Sequence, residues 1–246
     1  MLLIFTFYST AVNSQIPVQI LISPHFSTPL RFENDKNTLR AFPAFCGYIG
    51  IRKTFIRPSK NYGWQLAATL GTTAYNYRFL IKKNDFPFLP EDKFNFPTRI
   101  FLIPYFQLGA GITHLITFNA IRPIKLNAQV GLRFYASYIG ESGYTYNVTN
   151  PPNGQQAQLF KMIQETRTSP RPYFMLQLEK KLTSTDSRWN IEAGIEICYL
   201  PFDMLYGQFT FFPGTVNSFS GSVSQTGSSF GIFFSLGKNT PIPAPQ

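Results

Sequence analysis

The chain has 246 residues and a formal net charge of +10, with 17% aromatic but only 14% charged residues. Such an aromatic, charge-poor composition is unusual for a soluble domain. No run of 18 or more apolar residues occurs, which excludes a conventional transmembrane helix. A membrane β-barrel fits both observations, since its strands alternate apolar and polar residues. The basic residues are scattered and accompany no nucleic-acid-binding motif, so we expect no nucleic acid as partner.

The N-terminal segment, residues 1–14, resembles a targeting signal. It has an apolar core from Leu2 to Val12 followed by small residues, and it predicts a signal peptide cleaved near Ser14. The basic residues that usually begin such a signal are absent, and a buried first strand is the alternative interpretation. We assign residues 15–238 to one barrel domain and residues 239–246 to a Pro-rich C-terminal tail.

Eight segments alternate apolar residues with polar or small ones, as strands with two different faces do. They are Gln15–Ile22, Pro43–Ile56, Trp64–Phe79, Arg99–Ile116, Lys125–Tyr138, Tyr173–Leu182, Trp189–Phe202 and Ser228–Lys238. In Lys125–Tyr138, for example, Leu126 and Val130 fall on one face, whereas Gln129 and Arg133 fall on the other. Most of the segments are long enough to cross a bilayer at a tilt, which takes about 9–11 residues.

The connections between these segments alternate in length. Short turns follow the second, fourth and sixth segments: Arg57–Gly63, Thr117–Ile124 and Thr183–Arg188. Long connections follow the first, third, fifth and seventh: Ser23–Phe42, Leu80–Thr98, Ile139–Pro172 and Asp203–Gly227. This rhythm predicts an all-β, antiparallel transmembrane up-and-down barrel of eight strands, with short periplasmic turns and long extracellular loops. A hairpin around Pro213-Gly214 leaves ten strands, or a projecting loop, as alternatives.

The polar face of the segments is rich in glycine, amides and charges, which suits a barrel interior better than a water-facing surface. A soluble lipocalin-like binder, with its apolar face inward, is the alternative. Eight strands leave room inside only for side chains, and buried charges need partners. We therefore predict an interior polar and charged network of Arg52, Gln107, Gln129, Arg133, Glu179, Glu192 and Glu196. Cys46 and Cys198 lie three strands apart on the same inward face, so we expect free thiols.

Aromatic and basic residues concentrate where the strands end. We predict an aromatic girdle at the two membrane interfaces formed by Phe79, Tyr105, Tyr138, Tyr173, Trp189 and Tyr199, with core packing as the alternative for some of them. Basic residues of the outer connections suit an anionic surface such as lipopolysaccharide phosphate, or are simply solvated. They are Arg31, Lys36, Arg40, Lys82, Lys83, Lys93, Lys161, Arg167 and Arg171. We expect outer-membrane lipids, lipopolysaccharide and other envelope proteins as partners.

Motifs for chemistry are scarce. The chain has no GxSxG, HExxH, Walker A, EF-hand or dinucleotide-binding motif, and no spacing of metal ligands. His25 lies beside Ser23 and Ser27, and Glu33 or Asp35 could serve as the acid of a hydrolase, although any loop-rich chain permits such a set. We predict neither enzymatic activity nor a cofactor, with a lipid-modifying hydrolase or acyltransferase that uses His25 as the alternative.

Three segments, Tyr105–Leu115 (YFQLGAGITHL), LNAQVGLRFYASY and WNIEAGIEICYLPF, resemble strands of the small outer-membrane β-barrels of Gram-negative bacteria, the porin-family or PorT-like group. The resemblance implies location in the bacterial outer membrane. It also implies a structural or interaction role, through extracellular loops or within a larger secretion or transport complex. Such barrels often end on an aromatic residue, whereas this chain ends NTPIPAPQ, which would move the assembly signal inward to Phe233–Phe234.

Overall fold

A computed structural model of the chain describes residues 18–34, 38–56, 61–82, 93–95, 99–116, 124–147, 156–183, 187–216 and 218–238. The predicted signal peptide and C-terminal tail lie outside these residues. The strands of the described part, in chain order, are β1 (Gln19–Ser27), β2 (Arg31–Glu33), β3 (Leu39–Phe42), β4 (Ala44–Ile56), β5 (Tyr62–Lys82), β6 (Lys93–Asn95), β7 (Arg99–Ile116), β8 (Ile124–Tyr135), β9 (Ile139–Asn147), β10 (Gln156–Thr166), β11 (Arg171–Lys181), β12 (Trp189–Tyr199), β13 (Leu205–Phe211), β14 (Phe219–Gln225) and β15 (Ser229–Lys238). Nowhere in the described ranges does a helix long and apolar enough to cross a membrane occur.

Eight strands close into an antiparallel ring in the order β1, β4, β5, β7, β8, β11, β12 and β15. The pairing of β1 with β15 closes the ring and places Gln19 opposite Gly237. Neighbours in the chain are neighbours in the ring, as in any up-and-down barrel. The predicted eight-stranded barrel is thus confirmed. The ten-stranded alternative is wrong, because β13 and β14 pair in a separate sheet.

Side chains of the ring alternate between an apolar outer face and a polar inner face. On β8, Val130 is 59% exposed, whereas its neighbours Gln129 and Arg133 are buried inside the barrel. On β12, Ile195 and Ile197 point outward in the same way. A continuous apolar exterior around a closed ring is the surface that a bilayer requires. The chain therefore forms a membrane-spanning barrel of the outer-membrane type, and the lipocalin-like alternative is wrong.

A second sheet of five strands lies beyond one end of the barrel, in the order β2, β14, β13, β10 and β9. Its strands come from three of the long connections, those between β1 and β4, β8 and β11, and β12 and β15. At the same end β5, with 21 residues, runs past the barrel and pairs with β3 and β6. We name this second sheet the outer sheet. The sequence predicted these segments as loops and indicated only the β13–β14 hairpin.

An aromatic core fills the space between the outer sheet and the extension of β5. Phe79 lies at its centre, with ring centroids 4.8 Å from Phe160 and 5.7 Å from Phe211. Tyr75 and Tyr77 line the same core, and all five side chains are fully buried. Phe79 was predicted to lie in the membrane-interface girdle, and that prediction is wrong. The reason is that β5 extends past the barrel ring at this position, so its inner face meets the outer sheet.

The first barrel strand is displaced along the chain from its predicted position. The predicted strand was Gln15–Ile22, and its residues 15–17 lie outside the described part. The observed strand β1 continues to Ser27. The strand continues through Pro24, although a proline within a strand often indicates its end. Here the β1–β15 ladder skips Ser23 and Pro24 and then resumes at His25. His25 consequently belongs to the barrel wall and not to a loop.

Candidate functional site

The barrel interior near the short turns holds an ionic cluster contributed by four strands. Nη2 of Arg52 lies 2.8 Å from Oε2 of Glu179 and 3.3 Å from Oε2 of Glu192. Nζ of Lys125 lies 3.9 Å from Oε1 of Glu179 and also contacts Glu192. We name these four residues the lumen cluster. It contains two cations and two carboxylates, so the group as a whole is neutral.

Amide side chains complete the hydrogen bonding of the lumen cluster. Gln19 donates to Glu192 over 2.9 Å and accepts from Nε of Arg52 over 3.0 Å. Asn127 donates to the second carboxylate, that of Glu179, over 3.0 Å. Each of the four carboxylate oxygens therefore accepts at least one bond, as buried charges require.

Glu196 lies further from the short turns than the lumen cluster does. Within the described residues, only neutral groups donate hydrogen bonds to its carboxylate. Ser23 donates to it over 2.5 Å, the Tyr48 hydroxyl over 2.6 Å and the Gln177 amide over 3.0 Å. These donors come from β1, β4 and β11, so one carboxylate links three strands to its own.

Arg133 is the buried cation nearest the outer sheet. Its Nε donates to Gln107 over 2.8 Å, and its Nη atoms donate to the carbonyl oxygen of Gly227 and to Sγ of Cys198. The guanidinium also lies 4.2 Å from the ring centroid of Tyr105. A desolvated cation over an aromatic face gains about 2 kcal/mol or more. Arg133 is thus held by neutral groups and an aromatic ring.

Gln129 completes the set of predicted interior residues. Its amide donates to the hydroxyl of Tyr173. Gly109 and Gly131 make room for this pair, because a Cβ atom at either position would overlap Tyr173. All seven residues predicted for the interior network lie buried within the barrel.

Several members of the predicted aromatic girdle lie elsewhere. Tyr105 and Tyr173 face the interior, because they share the inward parity of their strands; the prediction used their place at a strand end and ignored that parity. Tyr138 lies beyond the end of β8, in the connection to the outer sheet, where its backbone N–H donates to Thr166. Trp189 and Tyr199 do project from the outer face.

The side chains proposed for a hydrolase do not form a catalytic set. His25 is buried in the barrel, and its Nδ1 atom has no hydrogen-bond partner in the described structure. Ser23 is bonded to Glu196, and Glu33 accepts a bond from Ser222 in the outer sheet. Asp35 lies outside the described residues. Among the described residues, Ser23, His25 and Glu33 are not hydrogen-bonded to one another as a triad requires.

The two thiols and the remaining potential metal ligands carry no site either. Cys46 and Cys198 are buried and free, as predicted from their positions in the ring. Within the described ranges, no group of three or more His, Cys, Asp or Glu side chains is placed to hold a metal ion.

Comparisons with known proteins point to other barrels. No protein-family model matches the chain, and no curated protein sequence matches it. Among solved structures, the outer membrane protein OprG from Pseudomonas aeruginosa is similar at 11% identity and a TM-score of 0.39, covering 91% of this chain and 97% of OprG. The β-domain of the Bordetella autotransporter BrkA is similar at 10% identity and a TM-score of 0.26, covering 89% and 97%. At these scores the assignment as a barrel rests on the strand pairing and the apolar exterior.

Several interior residues were not predicted, although they have the same strand parity as the residues of the predicted interior network. They are Gln19, Ser23, Tyr48, Lys125, Asn127 and Gln177. Their signal was available, because each lies an even number of residues from a predicted interior position or belongs to β1. The prediction named charged and glutamine side chains of five strands, yet it left out Lys125 and Gln177, which are of the same kinds and lie on two of those strands.

Proposed function

We propose that the protein is a non-enzymatic barrel of the bacterial outer membrane that is closed to solutes and carries the outer sheet as an extracellular interaction surface. One observation carries the proposal: ion pairs and hydrogen bonds join side chains of different strands across the interior, and an aromatic core lies between the interior and the outer sheet. A pore needs a continuous polar passage, and this arrangement supports a closed interior in the described part of the chain. The folded part outside the membrane is then what meets other molecules.

The orientation follows from the lengths of the connections. In outer-membrane barrels the short turns lie in the periplasm and the long connections lie outside the cell. All the strands of the outer sheet belong to long connections, which supports an extracellular position. A role within a larger envelope complex, of the kind that the PorT-like resemblance implies, belongs to the same proposal.

The outer sheet offers a way of binding a protein partner. Its terminal strand β9 pairs with β10 along one edge and has no pairing along the other within the described structure. Unpaired strand edges bind extended segments of other chains through backbone hydrogen bonds. We therefore expect an envelope protein to dock on this edge.

Epitope insertion on intact cells tests the orientation. A tag inserted after Gly214, in the β13–β14 hairpin, should be detected by antibody on whole cells. A tag after Thr183, between β11 and β12, should be detected only after the outer membrane is opened. Detection of the second tag on intact cells, or extraction of the protein by salt without detergent, would refute the proposal.

Planar bilayers test the closed interior. The purified protein should give no stable single-channel conductance, whereas an open porin reconstituted in parallel should conduct. A reproducible channel that persists at low voltage would show that the interior is open and would contradict a closed barrel.

A further inference from the structure

A basic pocket lies between the outer rim of the barrel and the outer sheet. It has a volume of about 570 Å³, and three arginines, Arg31, Arg167 and Arg171, line it. The hydroxyl residues Thr28, Thr226 and Ser228 line it as well, together with one acid, Asp203. With three cations and one carboxylate, its lining carries a formal charge of +2.

Arg171 gives the strongest indication that the pocket receives an anion. Its Nε and Nη2 atoms are shielded from solvent and have no hydrogen-bond partner in the described structure. A buried donor that is left unbonded destabilises a protein, and a charged donor does so more strongly. A rotation of the Arg171 side chain towards the pocket would let an acceptor there bind these donors.

Arg167 is held in place at the pocket by the outer sheet. Its guanidinium lies 4.8 Å from the ring centroid of Tyr206, whose hydroxyl donates to Glu165 over 2.8 Å. This hydrogen bond raises the pKa of Tyr206, and the neutral ring lies beside the cation. Neither Arg167, Arg31 nor Arg171 has a carboxylate within 4.0 Å in the described part of the chain.

The pocket also borders the lipid-facing surface. Tyr199 and Phe202 line it, and their side chains are 57% and 54% exposed. Exposed aromatic residues at the end of a membrane strand lie at the level of the lipid headgroups. An anion bound beside them can therefore belong to a lipid of the outer leaflet.

We propose that this pocket binds a phosphate group of a phosphorylated glycolipid in the outer leaflet, an inference that rests on the proposed outer-membrane location. Arginine forks bind phosphate oxygens through two parallel hydrogen bonds. The hydroxyl of Thr28 can donate a further bond to the same group or to the sugar, whereas those of Thr226 and Ser228 already donate within the protein. Arg171 supplies the donors that lack a partner.

Titration of the purified protein in detergent tests the pocket without reference to location. The probes are bis-phosphorylated lipid A, the same lipid with both phosphates removed, and inorganic phosphate. The phosphorylated lipid should bind at least tenfold more tightly than the dephosphorylated one. Arg167→Gln combined with Arg171→Gln should remove this difference. Arg78→Gln is the matched control, since Arg78 lies at the same end of the barrel over the ring of Phe42 and does not line the pocket.

The outcomes separate the two possible sources of phosphate. Tighter binding of phosphorylated lipid A than of inorganic phosphate supports a lipid headgroup as the ligand. Equally tight binding of inorganic phosphate would overturn the proposal of a lipid ligand and would indicate a site for a free anion. Equal binding of the two lipids by the wild-type protein overturns the phosphate site altogether, whether or not the variants fold. Heat-modifiable gel mobility verifies that each variant forms a barrel. If the tags contradict the proposed orientation but the phosphorylated lipid still binds more tightly, the phosphate site is supported and only the proposed location is wrong.

Discussion

Replacing Arg52 with methionine tests whether the lumen cluster stabilises the barrel. Arg52 is 1% exposed, and its guanidinium joins β4 to β11 and β12 through Glu179 and Glu192. Methionine fills part of the same space without a charge. In the variant, Lys125 alone faces two carboxylates, so one buried negative charge has no counterion.

The expected loss is large. Removing one member of a buried ion pair costs about 3–5 kcal/mol. For a urea m-value of about 2 kcal/mol/M, the unfolding midpoint should fall by about 2 M. Unfolding from lipid vesicles can be followed by tryptophan fluorescence, because the chain has two tryptophans and both Trp64 and Trp189 project from the outer face. Their emission reports the loss of lipid contact.

Two further variants make this test specific. Arg78→Met removes an exposed arginine whose guanidinium lies over Phe42, and it should cost about 1 kcal/mol or less. Arg52→Met combined with Glu179→Gln restores neutrality, with Lys125 facing Glu192, and should recover about half of the loss. An unchanged midpoint for Arg52→Met, or no recovery in the double variant, would refute a stabilising role for charge balance.

The other expectations concern the outer sheet, the histidine and the thiols. Phe211→Ala should lower the free energy of unfolding by about 3–5 kcal/mol in the aromatic core and make the outer sheet sensitive to trypsin. Heat-modifiable gel mobility should show that the barrel itself is intact, and trypsin resistance equal to that of the wild type would contradict this expectation. His25→Ala should leave the lipid A mass spectrum of expressing cells unchanged, and a lost modification would restore the hydrolase hypothesis. Cys46 and Cys198 should react with a maleimide only after denaturation, and gel mobility should not depend on reductant; labelling of the folded protein would show an open interior.

The barrel was predictable because each strand carries its own signal. Arg99–Ile116 was predicted with the bounds that β7 has, and the inward parity located the interior residues without knowledge of their partners. The prediction for Tyr105 and Tyr173 was wrong because an aromatic residue near a strand end can face either the lipid or the barrel interior. Only its parity within the strand distinguishes the two locations. The alternation that assigns both tyrosines to the inner face is visible in the sequence.

The outer sheet and the basic pocket depend on contacts that the local pattern does not contain. Strand β2 pairs with β14, which lies about 190 residues further along the chain, as Glu33 opposite Ser222 shows. Arg31 and Arg171 were recognised as basic residues of outer connections. Their convergence on one pocket follows from this long-range pairing, so no reading of alternation could have brought them together.

The two ends of the barrel interior differ in chemistry, and this difference limits what the protein can do. Near the short turns the interior is ionic, with every carboxylate oxygen of the lumen cluster bonded, whereas towards the outer sheet it becomes aromatic. A hydrated ion that crossed would first have to displace the bonds of Arg52 and then lose its water among rings such as Phe79 and Phe160. Each step costs several kcal/mol with no compensating ligand. Exchange through the barrel is therefore expected to be unfavourable, which agrees with the proposed role of the surfaces that the long connections build around the basic pocket and the outer sheet.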